Sequence, residues 1–195
     1  MELNQTKVIV REQIEPGLKR AIFATGCFWC MEAVFQETPG VKHAISGYGG
    51  GTEYNPTYED TYTGRTSHRE SVMVYYDPAK ITYQQLLDIF WQNIDPTDAF
   101  GQFIDQGPSY TAAIFYETDE QKSQAETSKQ TLQDSGKFDK PIVTEILPFT
   151  TFYEAEEYHQ EFYKKSAARY EIYKNASGRK EFKELVWQQI QSGKK

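Results

Sequence analysis

Ala24-Thr25-Gly26-Cys27-Phe28-Trp29-Cys30-Met31-Glu32 constrains the fold more than any other stretch of this 195-residue chain. It joins an apolar run, Ala21-Ile22-Phe23-Ala24, to an apolar-patterned segment ending at Phe35. That order reads as strand, tight turn, helix. Gly26 takes the bend because it has no Cβ to clash there. The chain has two cysteines, and both lie here. Cys27 falls at the turn or first helical residue, where unpaired backbone N–H groups and the helix dipole favour an anion. A lowered Cys27 pKa is therefore expected. Cys30 follows one helical turn later, within disulfide reach if the turn closes tightly. The pair reads either as two small buried apolar residues opening a core helix or as a redox-active or metal-binding Cys-x-x-Cys.

The rest of the chain alternates short strands and helices. Strands are expected at Lys19–Ala24, Val41–Tyr48, Arg69–Tyr76, Thr111–Tyr116 and Ile142–Leu147. Helices are expected at Cys27–Gln36, Tyr83–Trp91, from Asp119 to Ser135-Gly136, Phe152–Tyr163 with a continuation over Ser166–Tyr173, and about Arg179–Ile190. The Asp119 helix shows a thin inner face of Ser123, Ala125 and Leu132. Thr52–Ser67 and Asn93–Ser109 read as long irregular stretches, the first of Ω-loop kind. The strands on either side of 52–67 have no helix between them and should run antiparallel. The expectation is an α/β (α+β) two-layer sandwich with a mixed sheet. One catalytic domain spans 1–195, with an N-terminal arm over 1–18 and a helical C-terminal extension over 164–195 that packs on it.

A net charge of −7 argues against a general nucleic-acid binder. No apolar run is long enough to span a bilayer, and the first residues lack the order of a signal peptide, so a cytoplasmic protein without membrane contact is expected. Two cysteines in a reducing compartment are catalytic, metal-binding or inert rather than structural staples. The three histidines, His43, His68 and His159, form no local ligand set with the cysteines, and zinc-finger spacing is absent. No metal or cofactor is expected.

A nucleophilic Cys27 needs proton management nearby. Glu70 opens a strand on which Glu70, Val72 and Val74 face one way and Ser71, Met73 and Tyr75 the other. A carboxyl on that apolar face would have a raised pKa and act as an acid near neutrality; an edge-of-strand glutamate in water is the equal alternative. Asp105 reads as a loop-holding acceptor of backbone N–H groups, or as a group orienting a catalytic residue. Tyr54, Tyr58, Tyr62 and Tyr110 offer hydroxyls for an oxyanion or S=O group, although each is also a packing residue. Phe28 and Trp29 read either as an apolar wall beside the sulfur, suited to a methyl or thioether, or as packing under the turn and at the sheet edge.

Gly26-Cys27-Phe28-Trp29, Gly47-Tyr48, Asn55-Pro56-Thr57-Tyr58 and His68-Arg69-Glu70 resemble the A-type peptide methionine sulfoxide reductases. So do the later Phe90-Trp91, Asp95-Pro96, Asp105-Gln106-Gly107 with Tyr110, Phe152-Tyr153, Ala155-Glu156 and Tyr158-His159-Gln160. The resemblance runs from about residue 19 to 163. It implies a ferredoxin-like two-layer fold and reduction of the S epimer of methionine sulfoxide, free or in proteins. It implies Cys27 as nucleophile, left as a sulfenic acid, and Glu70 as the acid that protonates the sulfoxide oxygen. Tyr58 and Tyr110 would bind that oxygen, Phe28 and Trp29 would receive the methyl, and Asp105 would support the site. A thioredoxin-type reductant is the implied partner, and a monomer is expected.

One departure matters. Cys30 stands where many relatives have glycine, and the segment from Ser166 onward has none of the resolving cysteines that many relatives carry in a glycine-rich tail. Cys30 is then the one resolving thiol available in cis. The rival readings are a general Cys-x-x-Cys dithiol oxidoreductase, a non-catalytic module binding oxidised methionine or a metal, and a structural domain with inert buried cysteines.

Overall fold

A computed structural model describes residues 7–11 and 13–188. Its centre is β2 (Lys19–Ala24), whose apolar run is buried on both faces from Ala21 onward. The chain turns at Gly26 into α1 (Phe28–Gln36). Next come β3 (Val41–Gly49), α2 (Tyr58–Tyr62), β4 (Arg69–Tyr76) and α3 (Tyr83–Trp91). A small hairpin, β5 (Gly101–Gln102) and β6 (Asp105–Gln106), leads through a 3₁₀ turn at Pro108–Tyr110 into β7 (Ala113–Tyr116). Then follow α4 (Asp119–Asp134), β8 (Glu145–Pro148) and β9 (Thr151–Glu154). The C-terminal part holds α5 (Phe162–Lys165), α6 (Ala167–Ala176), α7 (Arg179–Lys183) and a wider helical turn over 184–188. β1 (Lys7–Ile9), inside the segment expected as an N-terminal arm, is a strand parallel to β9.

The main sheet has the order β1-β9-β3-β4-β2-β7-β8. β1·β9 and β7·β8 are parallel, and the four inner pairings are antiparallel. This is a two-layer α/β sandwich on a mixed, ferredoxin-like sheet. The period-2 alternation of β4 sorts its residues between faces. Val72, Val74 and Tyr76 join Phe23, Phe28, Phe35, Leu87 and Phe90 under the helices. Met73 and Tyr75 join Ile22, Ile45, Phe115 and Phe152 on the other face, which Val8, Val10, Ile14 and Leu18 cover.

Four expectations need correction. The 93–109 stretch is not wholly irregular, because Gly101–Gln102 pairs with Asp105–Gln106 as the β5–β6 hairpin. Phe152–Tyr163 is not a helix: Thr151–Glu154 pairs as β9 between β1 and β3, and Glu161 takes a left-handed φ of 51°, which no continuing helix permits. The helical spacing of Phe152, Ala155 and His159 arose from a strand followed by a turn. The 52–67 stretch is not wholly irregular. The Thr57 hydroxyl accepts the Asp60 N–H and the Asp60 carboxylate accepts the Thr57 N–H, a capping box that starts α2. On α4 the inner face is Ala125, Ser128 and Leu132, while Ser123 is exposed, because two residues from Ala125 is more than half a turn away. The expected last helix begins at Arg179 as read; its end at Ile190 lies outside the described residues.

Candidate active site

Antiparallel pairing puts the C-terminal end of β2 beside the N-terminal end of β4, with Ala24 opposite Ser71. The turn after Ala24 therefore delivers Cys27 to the level of Glu70. Gly26 makes that turn with a φ of +72°, and a Cβ there would lie 2.5 Å from Gln102 Cβ. Gln102 cannot give way, since its amide spans the Asp95 N–H and C=O at 2.8 Å each. Only glycine fits the bend.

Cys27 is the N-cap of α1, and its side chain makes no cap hydrogen bond. The next backbone N–H, that of Phe28, donates to Glu70 Oε2 at 3.1 Å. Glu70 is 3 % exposed and shares the face of Val72 and Val74. Burial raises its pKa to about 8, against the opposing Phe28 N–H. The Tyr110 hydroxyl is within hydrogen-bond reach of Glu70, and the Tyr58 and Tyr110 hydroxyls are within reach of each other. Burial moves both phenols upward, Tyr58 to about 12, so both are neutral donors at physiological pH.

The expected lowering of the Cys27 pKa is not found. Burial, then the hydrogen bond with Cys30, then the Cys30 and Glu70 charges push the thiol well above its ordinary value. Desolvation of sulfur outweighs the helix N-terminus. Cys30 moves the other way, to about 7, chiefly through the Cys27 hydrogen bond, with burial opposing and the Arg179 guanidinium assisting. Both thiols are free and buried. Cys30 packs in a cluster with Ala33, Phe162 and Tyr170 of the C-terminal helices.

A cavity of about 180 Å³ is lined by Cys27, Phe28, Trp29, Tyr58, Glu70, Asp105 and Tyr110. The fold brings these seven residues to one depression; Cys30 does not line it and is hydrogen-bonded to Cys27. Tyr62 also lines it; Tyr54 does not, being 78 % exposed with its ring edge on Tyr153. Asp105 does not hold its loop through backbone N–H groups, which corrects the loop-holding reading; its carboxylate accepts the Tyr173 hydroxyl. Burial raises its pKa. A larger groove of about 470 Å³ between α3 and α4 carries no thiol or histidine. Among the described residues, no group of three His, Cys, Asp or Glu side chains is placed to hold a metal.

Four further residues shape the site. Glu156 accepts the Tyr48 hydroxyl at 2.6 Å and the Tyr58 N–H at 2.9 Å, fixing the start of α2. The His159 ring packs on Phe28 and Tyr58, and its Nδ1 accepts the Trp29 indole N–H at 3.0 Å. Burial lowers the His159 pKa to about 4, so it is neutral and a settled acceptor. Tyr173 lines the cavity from α6. Arg179, 6 % exposed, donates to Asn93 O and Thr25 O and so clamps the turn before Gly26. Glu156 and His159 stand in recognised blocks, but nothing local marks their contacts. Tyr173 and Arg179 lie beyond those blocks, in a segment that reads only as helix.

The family model of peptide methionine sulfoxide reductase matches residues 19–191. The Listeria monocytogenes (serotype 4b, strain CLIP80459) peptide methionine sulfoxide reductase MsrA is 53% identical over 171 residues, covering 88% of this chain and 97% of that protein. The Bacillus subtilis (strain 168) MsrA is 54% identical over 167 residues, covering 86% and 94%. Among solved structures, reduced Mxr1 of Saccharomyces cerevisiae superposes with a TM-score of 0.73 at 30% identity, covering 78% of this chain and 88% of that one. Methionine sulfoxide reductase A of Corynebacterium diphtheriae gives 0.69 at 35% identity, with coverages of 77% and 76%. On a match whose span includes every residue lining the cavity, the chain belongs to the A-type peptide methionine sulfoxide reductase family.

Proposed function

We propose that this chain reduces the S epimer of methionine sulfoxide, free or in proteins, to methionine, through a Cys27 sulfenic acid that Cys30 resolves and a thioredoxin-type dithiol clears. The observation that carries this reading is the buried Glu70 carboxyl beside Cys27, protonated up to about pH 8.

A sulfoxide oxygen is a poor leaving group until protonated. Neutral Glu70 supplies that proton, and the Tyr58 and Tyr110 hydroxyls bind the oxygen as it arrives. Phe28 and Trp29 take the methyl, and Asp105 supports the wall opposite. Protonation makes the substrate sulfur electrophilic, so a Cys27 thiol with a high resting pKa is activated in the complex rather than before it. General acid help of this kind is worth about 10²–10⁴-fold. Methionine leaves, and the oxygen stays on Cys27 as a sulfenic acid. Cys30, the more acidic thiol, attacks the Cys27 sulfur; water departs and a Cys27–Cys30 disulfide forms. The external dithiol then reduces that disulfide. The active unit is taken to be one domain acting as a monomer in the cytoplasm.

The test uses separated sulfoxide epimers with the wild type, Cys27→Ser and Cys30→Ser. Wild type should release methionine from the S epimer alone, Cys27→Ser should release none, and Cys30→Ser should give one turnover and then stall with thioredoxin. Methionine release by Cys27→Ser would end the reading. Normal recycling by Cys30→Ser would remove the resolving step.

A further inference from the structure

The Tyr173 hydroxyl stands between two groups of the site. It donates its hydrogen to Asp105 Oδ2, and it lines the cavity beside Cys27, whose thiolate it favours. Its ring is held edge-on against Trp29, with centroids 5.8 Å apart at 86°. A phenol has one hydrogen and two lone pairs. With the hydrogen given to Asp105, a lone pair remains to accept the Cys27 S–H. Thiol, phenol and carboxylate can then act as one directed chain. We propose that Tyr173 is a catalytic residue of sulfoxide reduction, carrying the Cys27 thiol proton to Asp105 while Glu70 serves the oxygen.

The proposal rests on the reading of Cys27 and Glu70 given above and adds the missing proton path. Without a separate base, Glu70 would have to take the thiol proton and protonate the sulfoxide in the same event. In the proposed step the Cys27 S–H bond breaks and its electron pair attacks the substrate sulfur. Tyr173 takes that proton and passes its own to Asp105. Glu70 gives its proton to the oxygen. The protonated oxygen then passes to Cys27 as the substrate S–O bond and the transient bond between the two sulfurs break, so the substrate sulfur gains two electrons and leaves as the thioether. Cys27 loses two and becomes the sulfenic acid. Asp105 ends protonated and Glu70 ionised, so the site's charge is unchanged, and solvent at the mouth resets both. The titratable and charged groups facing this path are Glu70 on β4, Cys30 on α1, Tyr58, Tyr62 and Tyr110 across the cavity, Tyr170 on α6, and Arg179 beside Asp105.

The experiment is single-turnover methionine release by the reduced, full-length chain across pH. Tyr173→Phe keeps the ring on Trp29 and removes the hydroxyl. Asp105→Asn removes the terminal acceptor without touching α6, so the path stays testable if the tyrosine variant folds poorly. Each should slow release by about 100-fold. Each should abolish the acid limb on which the wild-type rate rises as Asp105 ionises. The double variant should be no slower than the slower single one, as for groups acting in series. A wild-type rate and profile in Tyr173→Phe would overturn the proposal, as would losses that multiply. Slow release by Cys30→Ser beside normal Tyr173→Phe would assign the thiol proton to Cys30 and overturn it too. Any of these leaves the reductase reading standing, whereas methionine release by Cys27→Ser would remove both.

Discussion

The backbone N–H of Phe28 and the Glu70 carboxylate are joined at 3.1 Å, so the first turn of α1 and the start of β4 share one hydrogen bond at the thiol. Glu70 is thereby held beside Cys27 without an ion pair that would strip its proton. Glu70→Gln preserves an acceptor for Phe28 but cannot act as an acid. Its single-turnover rate should fall by about 10²–10⁴-fold. In the wild type the rate should decline as pH rises through about 8, where Glu70 loses its proton, and the variant should lack that decline. Stopped-flow methionine release from pH 5 to 9.5 measures both.

The same carboxyl should lower stability at high pH. Its folded pKa is about 8 against an ordinary 4.5, so between those values the native state holds a proton that the unfolded chain has released. Stability then falls as pH rises across that window. Glu32, raised by burial to about 7, adds a smaller loss with the same sign. Glu70→Gln should therefore melt above the wild type at pH 9 and near it at pH 4.5. Calorimetric Tm values at the two pH values check this, and an equal Tm at pH 9 would show that the buried carboxylate is better solvated than its position indicates.

Much of this was legible in the sequence, for reasons that can be named. β2, Gly26 and α1 were readable because a buried strand, an obligatory glycine bend and an apolar helical face are local signals. The facing of Glu70 followed from the alternation of β4. Elsewhere long-range pairing decided the outcome. Phe152-Tyr153 becomes a strand because β1 and β3 flank it, and nothing within ten residues says so. The Cys27 thiol departs from expectation because the helix N-terminus is a local effect, while the burial that outweighs it depends on the packed fold. Glu156 carries no local sign of its contact, yet it is the group that fixes the Tyr58 backbone.

Arg179 ties the C-terminal segment to the catalytic turn. Its guanidinium donates to Thr25 O at 3.2 Å and to Asn93 O, and lies 4.8 Å from the Phe103 ring centre. Arg179→Met should leave two buried carbonyls unpaired and cost about 3 kcal/mol. It should also raise the Cys30 pKa, since the guanidinium favours that thiolate. Alkylation of Cys30 against pH, in a Cys27→Ser background, separates the effects. Arg179→Lys should keep the lower value and Arg179→Met should not, whatever each does to Tm.

Trp29 is fixed from three sides. Its ring stacks on Phe162 with centroids 3.9 Å apart at 11°, its N–H donates to His159 Nδ1, and Tyr173 meets its face edge-on. Two of these contacts come from the C-terminal helices, so that segment sets the position of the apolar wall. A rigid wall discriminates by size: an extra methylene must find room or displace a ring, and one methylene is worth about 1–3 kcal/mol in such a pocket. Phe162→Leu keeps an apolar residue under Trp29 but removes the flat stack. It should raise KM for methionine sulfoxide several-fold with a smaller change in kcat, because the chemistry at Cys27 and Glu70 is untouched. It should also narrow the preference for methionine sulfoxide over ethionine sulfoxide, since Trp29 can now yield to the larger group. Competition between the two sulfoxides reads that preference independently of enzyme concentration. If Tm falls while the preference holds, Phe162 supports only the fold, and the wall is set by His159 and Tyr173.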